Sequence, residues 1–467
     1  MNFTVFFRDH GVEKIALDGA RVAELFAEAC EDRLVYISER SSYATFNGLV
    51  WVMDDKRVSV NRTAIDFARA LRDFFENIGN ADKAAFAGKY LNPNARKGLL
   101  DDARSYCSAS ADRFDSKPWL FNCLNGTLDL SAAKPTLRTP RANDYLTQVS
   151  GVNFDPDAPV DVFRGFLSDL MNGNDEWTDY ALRCYGYSLF GVNDQKKFFV
   201  CRGSGNNGKS TLDYILRSLF GGYAAVVDPM LFEAKRLKSI SARELEQRSA
   251  LEKARYISVG EPQKGTVLNG GLIKILTGGD PVTATNLYAN SHTFTCGGKI
   301  FFYTNPFPRI SDEAIIRSSR LRYIPFLREF PEGEQDTQVR AKLTRPEALS
   351  GALNCLLDGL NQVIRDGQII QPDSVSDLIP MDNVECISEP EELEHILDFF
   401  DQEMEREPKG RVSTRKVYNR FLEYADSAQC RKPSFAEFKL LLRGCEIETG
   451  EYGNCSTVFG WMPVRAG

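Results

Sequence analysis

Residues 203–210 read Gly-Ser-Gly-Asn-Asn-Gly-Lys-Ser, which is a complete GxxxxGK[ST] string. An apolar run at 197–201 precedes it, and apolar residues at helical spacing follow from Leu212. In this setting glycines let successive backbone N–H groups turn inward toward phosphate oxygens, and the following helix adds its positive end. The string therefore predicts a phosphate-binding loop in an α/β nucleotide-binding domain.

Each part of this loop has a predicted role with ATP and Mg²⁺. Lys209 would reach the β- and γ-phosphates, and the Ser210 hydroxyl would bind Mg²⁺. The residues expected to contact the nucleotide are Gly203, Ser204, Gly205, Asn206, Asn207, Gly208, Lys209, Ser210 and Thr211.

The composition, with 43% hydrophobic and 26% charged residues, is that of an ordinary soluble globular protein. Its 467 residues suggest about three domains. No apolar run approaches the roughly 20 residues that span a bilayer, and the N-terminus lacks the features of a signal peptide. We therefore expect a cytoplasmic protein with no membrane partner. The net charge of −7 gives no support for bulk attraction to nucleic acid, although a ring could still line one channel with Lys and Arg.

Two later strand patterns end in polar residues, Glu261 and Asn305. Parallel α/β sheets place ligands at the carboxyl ends of their strands. Glu261 would polarise the attacking water and help Ser210 to hold Mg²⁺, and Asn305 would orient the same water. The alternatives are an acid that ends a strand in solvent and an amide in a simple turn.

Two arginines, Arg317 and Arg320, precede a further strand pattern at 321–326. They could be solvated surface charges, as most arginines are. Alternatively, one of them acts as an arginine finger across a subunit boundary and neutralises charge on the γ-phosphate. We favour Arg320 for that role.

The order of these motifs resembles a known family. The loop at 203–211, Glu261, the string at 274–280, the strand ending at Asn305 and the segment 320–326 look like the superfamily 3 helicase domain. That domain occurs in phage and plasmid primase-helicases, the group that includes the poxvirus primase-helicase. Other parts of the chain resemble the N-terminal module of the group and the helix after its ATPase core: residues 46–48, 119–130, 143–147, 185–187 and 351–360.

The resemblance implies an AAA+ P-loop ATPase core that assembles into a hexameric ring. Such a ring threads single-stranded DNA and unwinds forked DNA in the 3′ to 5′ direction. The resemblance also implies a DNA-contacting β-hairpin, here 282–294, with His292 near its tip, although a lone histidine is as often a packed or solvated side chain. Lys274 and Lys299 are further candidates for DNA contact.

Two features depart from the family pattern. Gly260 precedes the single acid Glu261, where family members often carry two adjacent acids, so Asp280 could assist. The hairpin lacks the arginine that members often have. No primase domain is expected either, because Asp54 and Asp55 have no histidine nearby and we interpret them as solvated loop charges. A separate primase or polymerase would then be a partner.

The chain is predicted to contain a C-terminal winged helix, because three helical patterns precede an alternating hairpin. A Ser434–Glu437 capping box opens the third helix. Basic residues in this segment could contact DNA phosphates or simply be solvated: Arg415, Lys416, Arg431, Lys432 and Lys439. The predicted segments are an α+β N-terminal module (1–155), a helical collar (156–195), the AAA+ superfamily 3 ATPase domain (196–370), a linker (371–390) and the winged helix (391–467).

Two functions fit this sequence. The first is a replicative DNA helicase of a phage, prophage or mobile element. The second is an ATP-driven DNA-binding initiator or loading switch with little unwinding. A small-molecule P-loop kinase fits less well, because no acceptor pocket is suggested and the additional domains would have no role.

Overall fold

A computed structural model describes the chain except for residues 1, 133, 235–241, 264–265, 286–290, 306, 311–314, 316–318, 332, 334–335, 337, 380–389, 446, 453–454 and 465–467. The chain divides into two compact units. The first comprises Met1–Asp129 and Thr136–Ser150, and the second comprises Leu130–Pro135 and Gly151–Gly467. None of the helices in the described residues combines the length and apolar character that crossing a membrane requires.

The first unit is α+β. Its helices are α1 (Phe3–Asp9), α2 (Gly19–Ala29), α3 (Val58–Asn77), α4 (Ala81–Gly88) and α5 (Pro93–Ala103). Its strands are β1 (Leu34–Ile37), β2 (Ser42–Phe46), β3 (Trp51–Asp54), β4 (Ser108–Ala109), β5 (Leu120–Cys123), β6 (Gly126–Asp129) and β7 (Thr136–Arg138). They form one sheet in the order β3-β2-β1-β4 and a second in the order β5-β6-β7. The helices pack around an aromatic core in which Phe67 contacts the rings of Phe3, Phe7 and Phe26.

Asp54 is a helix cap rather than a solvated loop charge, so the sequence-based interpretation of this residue is wrong. Its side chain accepts hydrogen bonds from the backbone N–H groups of Val58 at 2.8 Å and Val60 at 2.7 Å. These donors have no partner within helix α3, and a carboxylate at this end also complements the helix dipole. Asp55 accepts a hydrogen bond from the Ser42 hydroxyl at 2.8 Å.

The second unit is built on a five-stranded parallel sheet. The strands of this sheet are β8 (Phe198–Arg202), β9 (Ala224–Val227), β10 (Tyr256–Val259), β14 (Lys299–Thr304) and β16 (Leu321–Pro325). Two separate pairs are formed by β11 (Val267–Leu268) with β15 (Arg309–Ile310) and by β12 (Pro281–Thr285) with β13 (Ser291–Thr295). The sheet order is β16-β8-β14-β10-β9. Strands β8, β10 and β14 read as nearly continuous buried runs, because helices cover both faces of such sheets. The predicted α/β class is therefore confirmed for this unit.

Helices surround the sheet and lie close together where glycines allow it. They are α6 (Asp161–Leu170), α7 (Asp175–Gly186), α8 (Lys209–Phe220), α9 (Ala242–Ser249), α10 (Gly270–Gly278), α11 (Val339–Leu343), α12 (Pro346–Asp366) and α13 (Asp373–Ser376). A Cβ atom on Gly186 of α7 would lie 2.3 Å from the carbonyl oxygen of Leu356 on α12. A Cβ atom on Gly359 of α12 would lie 2.2 Å from the carbonyl oxygen of Leu182 on α7. The two backbones therefore touch at this crossing.

The C-terminal part of the second unit combines helices with an antiparallel sheet. Its elements are α14 (Pro390–Glu403), β17 (Met404–Ser413), α15 (Thr414–Ser427), α16 (Phe435–Gly444), β18 (Thr449–Tyr452) and β19 (Cys455–Pro463), and its sheet order is β17-β19-β18. The Ser434 backbone N–H donates to Glu437 Oε2 at 2.5 Å, and the Glu437 backbone N–H donates to Ser434 Oγ at 3.3 Å. The predicted capping box is thus confirmed, whereas β17 is a strand that the sequence patterns did not reveal.

We predict that Gly359→Ala lowers the free energy of unfolding by about 1–3 kcal/mol, because the added methyl group meets backbone atoms of α7 that cannot move independently. The control is Gly165→Ala on helix α6, where a Cβ atom would meet nothing within 4 Å. That change should stabilise the protein by about 0.5–1 kcal/mol through helix propensity. Urea denaturation measures both changes, and equal effects of the two substitutions would contradict the close α7–α12 crossing.

Candidate active site

The glycine-rich loop, residues 203–208, leaves the carboxyl end of β8 and leads directly into α8. Gly205 has a φ of +131° and Gly208 a φ of +77°, which L side chains rarely adopt. A Cβ atom on Gly203 would lie 1.9 Å from Nδ2 of Asn207. The spacing of the glycines therefore follows from the path of the backbone.

Lys209, the first residue of α8, is 8% exposed and lies against the loop. Its Nζ donates to the carbonyl oxygen of Gly203 at 2.8 Å, to Oδ1 of Asn207 at 2.9 Å and to Oδ1 of Asn305 at 3.0 Å. All three acceptors are neutral. Burial lowers the pKa of Lys209, whereas the charge of Glu261 acts in the opposite direction. A buried cation with neutral partners favours the approach of an anion.

Asn305 connects Lys209 to Glu261. Its Nδ2 donates to Oε2 of Glu261 at 3.0 Å, and its backbone N–H donates to Oε1 at 3.3 Å. Glu261 and Asn305 follow the neighbouring strands β10 and β14 at their carboxyl ends. The structure thus brings Lys209, Asn305 and Glu261 into one hydrogen-bonded set, which we call the Lys–Asn–Glu set.

The donor atoms around the loop fit a Mg²⁺ ion that is shared with a bound phosphate. Ser210 in the first turn of α8 and Glu261 are both exposed, and Thr211 is half-buried. Within the described residues, no cluster of three or more His, Cys, Asp or Glu side chains could hold a metal. Mg²⁺ is commonly held by one or two carboxylates together with substrate phosphates, so Ser210 and Glu261 suffice only if a phosphate completes the site.

The segment that follows β16 also contacts the loop, which the sequence patterns did not reveal. The Ser204 hydroxyl donates to Oε1 of Glu329, and the Phe330 backbone N–H donates to the Asn206 carbonyl oxygen at 2.8 Å. On the other side, Nδ2 of Asn207 donates to the carbonyl oxygen of Phe326 at 3.2 Å. These contacts join residues more than a hundred positions apart, so no local pattern could indicate them.

Arg320 lies at the opposite end of the sheet from the glycine-rich loop. It precedes β16, whose first residue Leu321 pairs with Phe198 at the start of β8, and its Nη1 donates to Thr277 Oγ1 at 2.8 Å. Strand β8 is five residues long. The start of the strand, near Arg320, therefore lies about 16 Å from its carboxyl end, where the loop begins. Arg320 therefore does not join the Lys–Asn–Glu set of its own chain, and Arg317 lies outside the described residues.

Two further cations lie beside Arg320. Lys197 is 7% exposed, and its Nζ donates to the carbonyl oxygen of Ser319 at 2.7 Å. Burial, together with the charges of Arg322 and Arg320, lowers the pKa of Lys197 to about 8. The end of the sheet at which strands β8 and β16 begin is therefore locally positive.

Lys299 is wholly buried, so the prediction that it contacts DNA is wrong. Its Nζ donates to the carbonyl oxygens of Phe190, Val192 and Gly297. Burial lowers the pKa of this lysine well below its usual value. Lys299 thus satisfies backbone carbonyls at the start of β14, and the strand pattern alone could not distinguish this role from an exposed position.

The two other DNA-contact candidates lie on different elements. His292 lies on β13, which pairs with β12 as the predicted hairpin requires, and its Nε2 is 3.2 Å from Oε2 of Glu252. Residues 286–290, which include the expected tip of the hairpin, lie outside the described residues. Lys274 is half-buried on α10.

Most of the basic C-terminal candidates are paired with acids. Arg415 pairs with Asp373, Arg431 with Glu437, Lys432 with Asp426 and Lys439 with Asp377. Lys416 is exposed. These pairings reduce the positive charge that this segment offers to a nucleic acid.

Comparisons with known proteins bear on the first unit and on the neighbouring part of the second. Residues 23–172 match the protein-family model described as D5 N terminal like. This part of the chain is similar to that family. This match confirms the predicted resemblance to the N-terminal module of the primase-helicase group.

Curated relatives of the chain occur in large DNA viruses, and each carries a name that begins "Putative helicase". The chain is 29% identical over 299 residues to such a protein from Acanthamoeba polyphaga mimivirus, covering 62% of this chain and 30% of the relative. It is 26% identical over 304 residues to one from Invertebrate iridescent virus 3, covering 57% and 31%. A third, from Invertebrate iridescent virus 6, is 22% identical over 389 residues, covering 70% and 39%. The chain thus spans about a third of the length of these relatives.

Among solved structures, the chain is similar to the apo C-terminal region of NrS-1, with a TM-score of 0.45 and 9% identity over 96% of this chain and 100% of that one.

We predict that Lys197→Met removes a pH-dependent contribution to stability. The folded pKa of about 8 lies below the value of 10.5 for a free lysine, so the unfolded chain binds more protons between these pH values. Stability then rises with pH across this window in the wild type, and this rise is absent in Lys197→Met. Urea denaturation of both proteins at pH 7 to 9.5 measures the difference. The exposed Lys342→Met serves as control, and pH profiles that run parallel for wild type and Lys197→Met would contradict the assignment.

Proposed function

We propose that this chain is an ATP-dependent DNA helicase that serves the replication of a virus, phage or mobile element. The observation that carries the proposal is the Lys–Asn–Glu set beside the glycine-rich loop. The names of the viral relatives support the same class of activity.

Binding of the ATP phosphates follows from the charge and shape of the loop. The backbone of residues 203–208 curls in front of the N-terminus of α8, whose dipole favours negative charge. Lys209 is held beside the loop by neutral oxygens, and a phosphate oxygen is a stronger partner for its charge than a carbonyl group is. We expect the β- and γ-phosphates to replace one or more of these contacts.

Hydrolysis requires a group that accepts a proton from water, and Glu261 is placed for this step. Its carboxylate is exposed at the carboxyl end of β10, and Asn305 fixes its orientation through two donors. When bound, Mg²⁺ would supply Lewis-acid stabilisation of charge on the phosphates, with Ser210 and Glu261 as protein ligands. Asn305 is within reach of both Lys209 and Glu261, so its amide is suited to orient the attacking water.

Assembly into an AAA+ ring gives Arg320 a role that its own chain does not offer. Arg320 lies about 16 Å along the sheet from its own loop, which excludes contact with its own nucleotide but suits contact with the nucleotide of a neighbour. The locally positive edge around Lys197 and Arg322 supports the approach of an anion. The hexameric state and the 3′ to 5′ direction are expectations from the resemblance.

Coupling to DNA is assigned to the β12–β13 hairpin and to the C-terminal segment. His292 on β13 and Lys274 on α10 remain candidate contacts to the phosphate backbone. The helices α14–α16 with strands β17–β19 follow the order of a winged helix, and Lys416 is an exposed basic candidate there. Lys299 has no part in this proposal.

We predict that Lys209→Ala abolishes ATP hydrolysis and the unwinding of forked duplex DNA, because the phosphates lose their only buried cationic partner in the described part of the loop. The control is Lys342→Ala, which removes an exposed lysine from helix α11 of the same unit. Strand separation of a fluorescently labelled fork measures the outcome. DNA-stimulated hydrolysis by the wild type without any unwinding would favour an ATP-driven initiator or loading switch over a helicase.

We predict that Arg320→Ala subunits poison mixed oligomers. If Arg320 acts on the nucleotide of a neighbour, hydrolysis in mixtures with wild type falls further than dilution explains. Mixtures with Arg365→Ala, which removes a surface arginine with a 71% exposed side chain, should retain full hydrolysis. A loss that is strictly proportional to the fraction of Arg320→Ala subunits would count against action across a subunit boundary.

A further inference from the structure

A row of polar side chains runs through the core of the second unit, between strands of the sheet and the helices α7 and α8. The Tyr256 hydroxyl donates to Oδ1 of Asp213 at 2.8 Å, and its oxygen lies 2.6 Å from the Tyr303 hydroxyl. The Tyr303 hydroxyl lies 3.5 Å from that of Tyr185, which in turn lies 3.4 Å from Sγ of Cys201. We call these five residues the hydroxyl chain.

Filling the core does not require these hydroxyl groups. Tyr185 and Tyr256 are fully buried and Tyr303 is 8% exposed, and burial raises the pKa of each phenol. The rings of Phe220 and Phe301 stack on Tyr256 and Tyr185 in the same core, so phenylalanine is accommodated there. A buried polar group costs free energy unless it is hydrogen-bonded, so each bond in the hydroxyl chain offsets the cost of burying these groups.

Two members of the hydroxyl chain lie on strands just before residues of the candidate active site. Cys201 is two residues before Gly203, where the glycine-rich loop begins, and Tyr303 is two residues before Asn305. Both strands, β8 and β14, lie in the middle of the sheet. The hydroxyl chain therefore joins the strand that carries the loop to the strand that carries Asn305.

The other two site-bearing elements are tied in by Tyr256 and Asp213. Tyr256 starts strand β10, which leads to Glu261. Asp213 lies on α8, one turn after Lys209, and its Oδ2 accepts a hydrogen bond from Nε of Arg217 at 2.9 Å. The Asp213–Tyr256 bond thus joins the helix that carries Lys209 to the strand that leads to Glu261.

Backbone hydrogen bonds between the strands cannot align α8, β10 and β14 by themselves. The β10–β14 ladder ends at Val259 and Phe302, and β14 pairs with β8 as far as Thr304, so Glu261 and Asn305 both lie beyond the paired residues. Helix α8 is not part of the sheet; the glycine-rich loop joins it to β8, and side-chain contacts join it to β10. A hydrogen bond from β10 to α8 therefore fixes a displacement that backbone pairing leaves free.

We propose that the hydroxyl chain is a positioning system that holds α8, β10 and β14 in register, so that Lys209, Asn305 and Glu261 meet in the geometry that hydrolysis requires. This inference rests on the proposed ATPase function of the same site. Its members are positioning residues, because they do not touch the expected substrate. Reaction geometry tolerates little error, and a misplacement of about 1 Å can cost on the order of 100-fold in rate.

The experiment removes single hydroxyl groups without changing ring packing. Tyr256→Phe should lower kcat for ATP hydrolysis about 10-fold, because the register between α8 and β10 is lost, and should leave the Kd for nucleotide within about 2-fold. Tyr303→Phe should act in the same direction. The control is Tyr180→Phe, which removes a fully buried hydroxyl that donates to Gln371 at 3.0 Å, outside the hydroxyl chain. This control should keep the wild-type kcat.

A double-mutant cycle separates positioning from a general loss of stability. If Asp213 and Tyr256 act through one bond, the variant that combines Asp213→Ala with Tyr256→Phe loses no more kcat than the more damaged single variant. Urea denaturation of each variant shows the folded fraction under assay conditions. A kcat that falls only in proportion to the folded fraction would overturn the inference.

The outcomes also distinguish this inference from the proposed function. If wild type hydrolyses ATP, Lys209→Ala does not, and Tyr256→Phe matches Tyr180→Phe in kcat, the function stands and the positioning role is refuted. If wild type neither binds nor hydrolyses ATP, the function fails and the inference fails with it. A kcat loss in Tyr256→Phe and Tyr303→Phe with an unchanged nucleotide Kd supports both.

Discussion

The arrangement around the loop depends on one buried cation. Lys209 is held by three neutral oxygens, one of which belongs to Asn305, and Asn305 in turn holds Glu261. A lysine in this position gains from an anionic partner because burial has removed most of its solvent. The loop and the end of strand β14 therefore hold this charge in place beside the site where we expect the phosphates to bind.

The parallel sheet brings the three elements together, but it does so incompletely. Strands β8, β10 and β14 end at the same edge, which delivers the loop, Glu261 and Asn305 to one place. Helix α8 brings Lys209 without any backbone pairing to the sheet. Side-chain bonds in the core help to set how far α8 stands along the strands, and the Asp213–Tyr256 bond of the hydroxyl chain joins α8 to β10 directly.

Local patterns predicted the parts of the site whose geometry is local. The glycine spacing of the loop follows from its backbone path, and Glu261 and Asn305 follow from the rule that ligands meet the carboxyl ends of parallel strands. The sequence could not predict the burial of Lys299. A lysine at the start of a strand pattern has the same sequence signal whether it faces solvent or backbone carbonyl oxygens. The hydroxyl chain could not be predicted from local patterns either, since Tyr185 and Tyr303 are 118 positions apart in the sequence.

The central claim, that the loop and Lys209 form a binding site for the phosphates of ATP, is tested most directly by calorimetric titration. Wild-type chain is titrated with MgATP and with adenosine, and Lys209→Ala is titrated with both. The account predicts that wild type binds MgATP at least about 10-fold more tightly than adenosine, and that Lys209→Ala loses this preference. Equal affinities of the wild type for MgATP and adenosine would contradict the account.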